Sequence, residues 1–267
     1  MSHLEVRLFP CLSDNYGVLI HDPVTGVTAS IDAPDDDAVR TELENAGWTL
    51  THILVTHHHW DHIQGLQALK RDTNCTVYAP AREAAEIPVL DVEVHQDDRV
   101  PFGRFEVEVI ETPGHTPGHV AYFVPDAIQA EIAGQKSGLA FVGDTLFSVG
   151  CGRVNDGRYS DMWHSLEKLM RLPERTLLYV GHEYTQSNIK FALSVEPENI
   201  ALHKRKEEVD RLRADGKPTL PVTLAKELET NPFLRPFSPE IRKSLGIGPD
   251  VSDESVFEEL RRRKDRF

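Results

Sequence analysis

With 267 residues, 40% of them hydrophobic and 27% charged, the chain has the size and balance of one large soluble domain, or of a domain with a smaller appendage. A net charge of −14 argues against a general nucleic-acid surface and against anionic membranes. No apolar run approaches the roughly 20 residues of a membrane span. The start, Met1-Ser2-His3-Leu4, shows no secretory pattern. Three scattered cysteines, Cys11, Cys75 and Cys151, point to a reducing compartment. A cytoplasmic protein is expected, with a monomer as the default.

Residues 4–9, 17–20 and 27–31 read as short strands, the first two joined by a turn over residues 13–17. A helix over 35–46 is predicted next, with acidic residues in its first turn and Gly47 as its stop. The apolar run Ile53-Leu54-Val55 then leads into Thr56-His57-His58-His59-Trp60-Asp61-His62, and residues 63–69 read as the start of a helix. Four histidines and an aspartate therefore sit on a strand-to-helix corner. If the strand tip is extended, His57 and His59 point the same way, because side chains alternate with period two. The turn into the helix offers Asp61 and His62 to a second point nearby. His58 and Trp60 alternate away and read as packing residues or as supports for the ligands. Asp32, at a strand end, is either a partner for a ligating histidine or a turn residue.

Strand-like patterns continue at residues 76–79, 92–94, around Val100 and at 105–110. Glu111-Thr112-Pro113-Gly114-His115-Thr116-Pro117-Gly118-His119 follows, a loop pinned by two Pro-Gly pairs that holds two histidines. His115, in the middle of the rigid turn, has the stronger claim as a ligand, while His119 reads equally well as a turn residue. After a strand over 120–124, the polar segment 125–138 reads as a surface excursion. The strand over 139–142 ends in Gly143-Asp144, and a carboxylate in that position needs a cation or hydrogen bonds. Gly150-Cys151-Gly152-Arg153 lets backbone approach closely. Cys151 reads as a buried small residue rather than a nucleophile, since no base is placed beside it. A helix over 161–171 and a strand over 177–180 lead to Gly181-His182-Glu183-Tyr184.

Beyond residue 185 the pattern is helical throughout, over 186–195, 197–215, 224–229, 239–245 and 252–264. The expected division is a catalytic domain over 1–185 and a helical domain over 186–267. The basic end, Arg261-Arg262-Arg263-Lys264, is either a solvated helix terminus or a cationic site for an anionic substrate.

Separate strand ends thus supply two sets of three ligands: His57, His59 and His115, and Asp61, His62 and His182, with Asp144 left over as a bridge. Imidazole and carboxylate suit zinc, and iron or manganese as alternatives. Two metals at one site lower the pKa of a bridging water and polarise a carbonyl, so the chemistry expected is hydrolysis.

This pattern, HxHxDH, the histidine of PGHTPGH, Gly-Asp-Thr and Gly-His, resembles the metallo-β-lactamase superfamily. Within it, Thr-His-His-His-Trp-Asp-His, Gly-Asp-Thr-Leu-Phe, Gly-Cys-Gly-Arg, Gly-His-Glu-Tyr-Thr, Asn231-Pro232-Phe233-Leu234-Arg235 and the terminal Arg-Arg-Lys-Asp-Arg-Phe are most similar to the hydroxyacylglutathione hydrolase (glyoxalase II) family. The resemblance implies an α/β (α+β) architecture, the αββα sandwich with a C-terminal helical domain. It also implies two divalent metal ions and cleavage of S-D-lactoylglutathione to D-lactate and glutathione, the second step of methylglyoxal detoxification, by a metal-bridging hydroxide. Asp61 or Asp144 would accept the proton. Glutathione contacts carry over to Arg153, Tyr184, Arg261 and Lys264. Asn155 stands where relatives often have an aromatic residue, and Arg153 where many have lysine. The partner expected is a small glutathione thioester, with no nucleic acid and no membrane. A glutathione persulfide dioxygenase, or another thioesterase of the same fold, is the alternative.

Overall fold

The computed structural model describes residues 3–129 and 136–267. It comprises two compact units, one of Met1–Glu111 with Thr116–Gly143, the other of Thr112–His115 with Asp144–Phe267.

The first unit begins with β1 (Glu5–Cys11), β2 (Asn15–His21) and β3 (Thr28–Ile31), an antiparallel meander. Helix α1 (Asp36–Ala46) is started by Asp35, whose side chain accepts from the amides of Asp37 and Ala38. It is stopped by Gly47, at φ 70°. β4 (His52–Leu54) lies parallel to β3. Then come α2 (Trp60–Ile63), α3 (Leu66–Thr73), β5 (Thr76–Pro80) and β6 (Val92–Val94), which complete a six-stranded sheet in sequence order. Val39 and Leu43 of α1 join Leu66 and Leu69 of α3 over Leu19, Ile53, Val55 and Val77, so a helical layer covers one face of the sheet. The parallel strands β3 and β4 end side by side, and the histidine-rich corner leaves from that carboxyl edge.

A second set of strands in this unit, β7 (Arg99–Phe102), β8 (Phe105–Glu111), β9 (Val120–Gln129) and β10 (Lys136–Phe141), is antiparallel throughout. It is tied to the first sheet where the Tyr122 hydroxyl donates to the Val55 carbonyl at 2.8 Å and Val120 N donates to the Thr56 carbonyl at 2.9 Å. These bonds fasten the end of β4 just before His57.

The second unit holds a two-residue ribbon, β11 (Leu146–Phe147) with β12 (Gly150–Cys151), then α4 (Tyr159–Met170), β13 (Leu177–Tyr179), α5 (Thr185–Val195) and α6 (Ile200–Ala214). β14 (Val222–Thr223), α7 (Leu224–Thr230), α8 (Pro239–Leu245) and α9 (Asp253–Arg266) complete it. Aromatic packing joins the helices, with Trp163 on Phe257 at 5.7 Å and Phe191 on Phe233 at 5.8 Å between centroids. Among the described residues no helix is long and apolar enough to cross a membrane.

Three expectations need correction. The excursion over 125–138 is strand at both ends, because β9 runs to Gln129 and β10 starts at Lys136, with a register shift between Ser137 and Leu139. Residues 130–135 of that segment lie outside the described residues. The helical stretch after residue 185 contains one short strand, β14, paired antiparallel with β13, too brief to leave a periodic signal. The helix after the histidine run starts at Trp60 rather than after His62, and it is interrupted before α3, so Asp61 and His62 are helical.

Candidate metal centre

Each unit carries its own group of donors. In the first, Val55 N is held by the Tyr78 carbonyl and Thr56 N by Asp32 Oδ1 at 2.6 Å, which keeps the chain extended as it enters the corner. His57 follows, fully buried, and its Nε2 lies 3.1 Å from His59 Nδ1. Two imidazole nitrogens facing each other at this distance share either a proton or a cation. The rings of His57 and His62 are 4.1 Å apart, and His62 Nε2 is 3.8 Å from Asp61 Oδ2. His57, His59, Asp61 and His62 are thus brought together, and each belongs to a group of side chains that could hold a metal ion.

The tautomers of this group follow from its hydrogen bonds. Asp32 is buried, and its Oδ2 accepts from His62 Nδ1 at 2.7 Å and from the Thr56 hydroxyl at 2.8 Å. The Thr56 proton is therefore committed to the carboxylate, so Thr56 Oγ1 accepts from His57 Nδ1 at 3.0 Å. Both histidines then carry their proton on Nδ1 and present Nε2 as a lone pair. Of the two readings of Asp32, the geometry matches the one that makes it a histidine's partner, since its carboxylate meets His62 Nδ1. It sits at φ 57°, a conformation that aspartate tolerates better than most residues.

Two further residues were not singled out from the sequence. Asn15 donates from Nδ2 to Asp61 Oδ2 at 3.0 Å and to the Asp61 carbonyl at 3.2 Å. Glu83, only 2% exposed, accepts from the backbone and the ring of His58. Both lie far from the motif in sequence and follow no local pattern. His58 therefore acts as a support through Glu83, whereas Trp60 does not pack: it is 64% exposed, because the early start of α2 turns it outward. His119 is buried and stacked on His57 at 4.8 Å.

In the second unit, Asp144 Oδ2 lies 3.4 Å from His115 Nε2 and 3.3 Å from His182 Nε2. All three residues are buried. His115 Nδ1 donates to the Arg153 carbonyl at 2.9 Å, which leaves its Nε2 as the lone pair. The ring of His182 lies flat on Tyr184, 4.8 Å away at 2°, and edge-on to Phe147. Gly152 is required here, because a Cβ at that position would fall 1.9 Å from the Asp144 carbonyl oxygen. The glycine-rich segment thus lets backbone approach Asp144 and His115 themselves.

Cys151 is buried and its thiol is pushed up to about 11 by burial, so it stays protonated. The cationic residues lie close by. Arg261 is 3% exposed, with Nη1 on the Cys151 carbonyl at 2.9 Å and Nη2 on Asp265 at 2.9 Å. Arg153 reaches out to solvent, its Nε 3.9 Å from Asp265 Oδ1, and Asn155 is exposed. Lys264 donates to the Ser187 carbonyl at 3.3 Å. Burial, with Arg261 and Arg153 beside it, lowers Lys264 to about 8. Tyr184 is 37% exposed.

Residues 14–182 match the model of the metallo-beta-lactamase superfamily, and residues 183–267 match that of the hydroxyacylglutathione hydrolase C-terminus. The first match, which covers more than half of the chain, places it in the metallo-β-lactamase superfamily. Among curated proteins, the hydroxyacylglutathione hydrolase of Brucella ovis is 50% identical over 264 residues, covering 99% of this chain and 98% of that one. That of Brucella canis is 50% identical over 264 residues, covering 99% and 97%. The chain belongs to the hydroxyacylglutathione hydrolase family. Among solved structures, ETHE1 from Myxococcus xanthus superposes with a TM-score of 0.65 at 26% identity, covering 97% of this chain and 98% of that one. Family and donor chemistry together support a divalent metal ion.

Proposed function

We propose that this chain is a binuclear-metal thioester hydrolase acting on S-D-lactoylglutathione and related S-2-hydroxyacylglutathiones, with D-lactate and glutathione as products. The observation that carries the reading is the set of histidines whose Nδ1 protons are committed elsewhere, in a chain half identical to hydroxyacylglutathione hydrolases over nearly its whole length. Such imidazoles are preset as ligands.

In this reading His57, His59 and His115 hold one ion, Asp61, His62 and His182 the other, and Asp144 is shared. Zinc suits the nitrogen and oxygen donors, with iron or manganese as alternatives. When bound, the ions supply an activated water and polarise the thioester carbonyl. The chain's own residues do the rest. Asp61 or Asp144 accepts the proton as water is consumed, and Asn15 keeps the Asp61 carboxylate oriented for that task. Glutathione thiolate leaves without requiring a general acid.

Residues 1–185 serve as the catalytic domain and 186–267 as the helical substrate domain. Lys264 and Arg153 meet the substrate carboxylates, with Tyr184 and Asn155 beside them. Arg261 contributes from beneath, by anchoring Cys151 and the Asp265 that faces Arg153. The depressed Lys264 supports this, since a crowded cation gains from an anionic ligand. We read the protein as a cytoplasmic monomer whose partner is this small thioester.

The test compares S-D-lactoylglutathione with a thioester lacking the glutathione carboxylates, in the parent and in Lys264→Ala and Arg153→Ala. Selectivity for the glutathione thioester should fall through KM in both variants. Equal hydrolysis of both thioesters by the parent would sink the glutathione assignment. Oxygen uptake with glutathione persulfide, in place of thiol release, would mark the dioxygenase alternative.

A further inference from the structure

Glu83 lies in a short 3-10 turn, Ala81–Glu83, directly after β5, and is 2% exposed. A carboxylate so deeply buried must find donors for both oxygens. It finds them on two loops. Oε2 accepts from His58 N and from His58 Nδ1, each at 2.8 Å. Oε1 accepts from Gly118 N at 2.8 Å and from the Thr116 hydroxyl. His58 stands between the ligands His57 and His59, and Thr116 is the residue after His115. One oxygen thus holds each ligand-bearing loop, with the side chain as a bridge between the two.

Gly118 fits this role. A Cβ there would fall 2.5 Å from Glu83 Cγ and 2.9 Å from Arg82 Cβ, so only glycine lets its amide approach the carboxylate. The second glycine of the double Pro-Gly loop is therefore accounted for by Glu83 rather than by the turn alone.

We infer that Glu83 is a positioning residue for the metal centre, setting the spacing between the His57–His59 segment and the Thr116–Gly118 segment that follows His115. It touches no ligand atom and acts through the backbone of His58 and of Gly118. The inference rests on the reading above, in which His57, His59 and His115 hold one metal ion. Groups that orient ligands in this way are worth about 10- to 100-fold in metal affinity. In Glu83→Gln the volume is kept, but an amide nitrogen must face donors on one of the two loops. In Thr116→Val a single donor is lost and the rest of the bridge stays.

The experiment measures zinc affinity by chelator competition on the full chain, alongside thermal unfolding of the metal-free proteins. Glu83→Gln should bind zinc about 10- to 100-fold more weakly, and Thr116→Val should fall between it and the parent. The kcat of thioester hydrolysis at limiting zinc should fall in the same order, with KM unchanged. A purely structural role would lower the unfolding temperature and leave zinc affinity at the parent value; that result overturns the inference. If Glu83→Gln does not fold, Thr116→Val decides alone, and parent-like zinc affinity in it overturns the inference. A parent that binds no zinc, iron or manganese would instead overturn the metal-site reading, and this inference with it.

Discussion

Asp32 governs His62 directly and His57 through one intermediary. Its Oδ2 lies 2.7 Å from His62 Nδ1 and 2.8 Å from the Thr56 hydroxyl, which in turn accepts from His57 Nδ1. One carboxylate thus fixes the tautomer of two proposed ligands. Asp32→Asn keeps the backbone, since asparagine also tolerates φ 57°. Its amide cannot accept from Thr56 N, the Thr56 hydroxyl and His62 together. Metal affinity should fall by about 10- to 100-fold, read by chelator competition and metal content after dialysis. Unchanged affinity would remove Asp32 from the account.

Lys264 gives the pH dependence its direction. Burial first, then Arg261 and Arg153, lower it to about 8 from the ordinary 10.5. Because the folded value lies below the unfolded one, holding the charge opposes folding at all pH below about 8, and that penalty is relieved as pH rises from about 8 towards 10.5. In the role proposed for Lys264, substrate binding runs the other way, since the cation is lost over the same window. KM should therefore rise above pH 8, by about fivefold at most over the next unit for a single titrating site, while Lys264→Arg stays flat. Initial rates across this range check it.

The turn between β11 and β12 hangs on a buried carboxylate. Glu227 accepts from the Ser148 hydroxyl at 2.9 Å, from Val149 N at 2.8 Å and from Asn231 Nδ2 at 3.0 Å. Arg205 reaches the same Ser148 hydroxyl at 3.2 Å. Burial pushes Glu227 above the usual carboxylate range. Removing one member of such a group strands the others, so Glu227→Ala should cost about 3–5 kcal/mol. Asn231→Ala, which loses neutral bonds to the Phe147 and Gly150 carbonyls, should cost about 1–3 kcal/mol. Urea denaturation of each variant measures both.

Gly152→Ala probes Asp144 without altering a ligand. The added methyl would meet the Asp144 carbonyl oxygen at 1.9 Å, a backbone atom that cannot step aside alone. A displacement near 1 Å is worth about 100-fold in rate, so kcat should fall by that order while the protein stays folded by circular dichroism. Parent-like kcat would show that Asp144 is not held from Gly152.

The candidate metal-binding residues were legible because their chemistry is local. A run with four histidines at a strand end, two Pro-Gly pairs and a Gly-Asp pair each carry their own signal. The α1 boundaries were equally local, read from Asp35 and Gly47. Asn15 and Glu83 were not legible, being 46 and 25 residues from their partners. Only the sheet order brings them together. Trp60 was misread because period-two alternation was carried past His59, where the backbone had already turned helical. The β9–β10 extension was missed for a related reason. Pro125 and Asp126 look like loop residues, and Asp126 does take φ 51°, yet pairing resumes at Ile128 and Gln129 across a register shift.

The most direct measurement is S-D-lactoylglutathione hydrolysis by the full chain, followed as loss of thioester absorbance with free thiol counted in parallel, before chelation, after it, and after metal is restored. One thiol per thioester lost, abolished by the chelator and recovered with zinc, iron or manganese, is the expected result. Metal-loaded protein that releases no thiol would contradict the account at its centre.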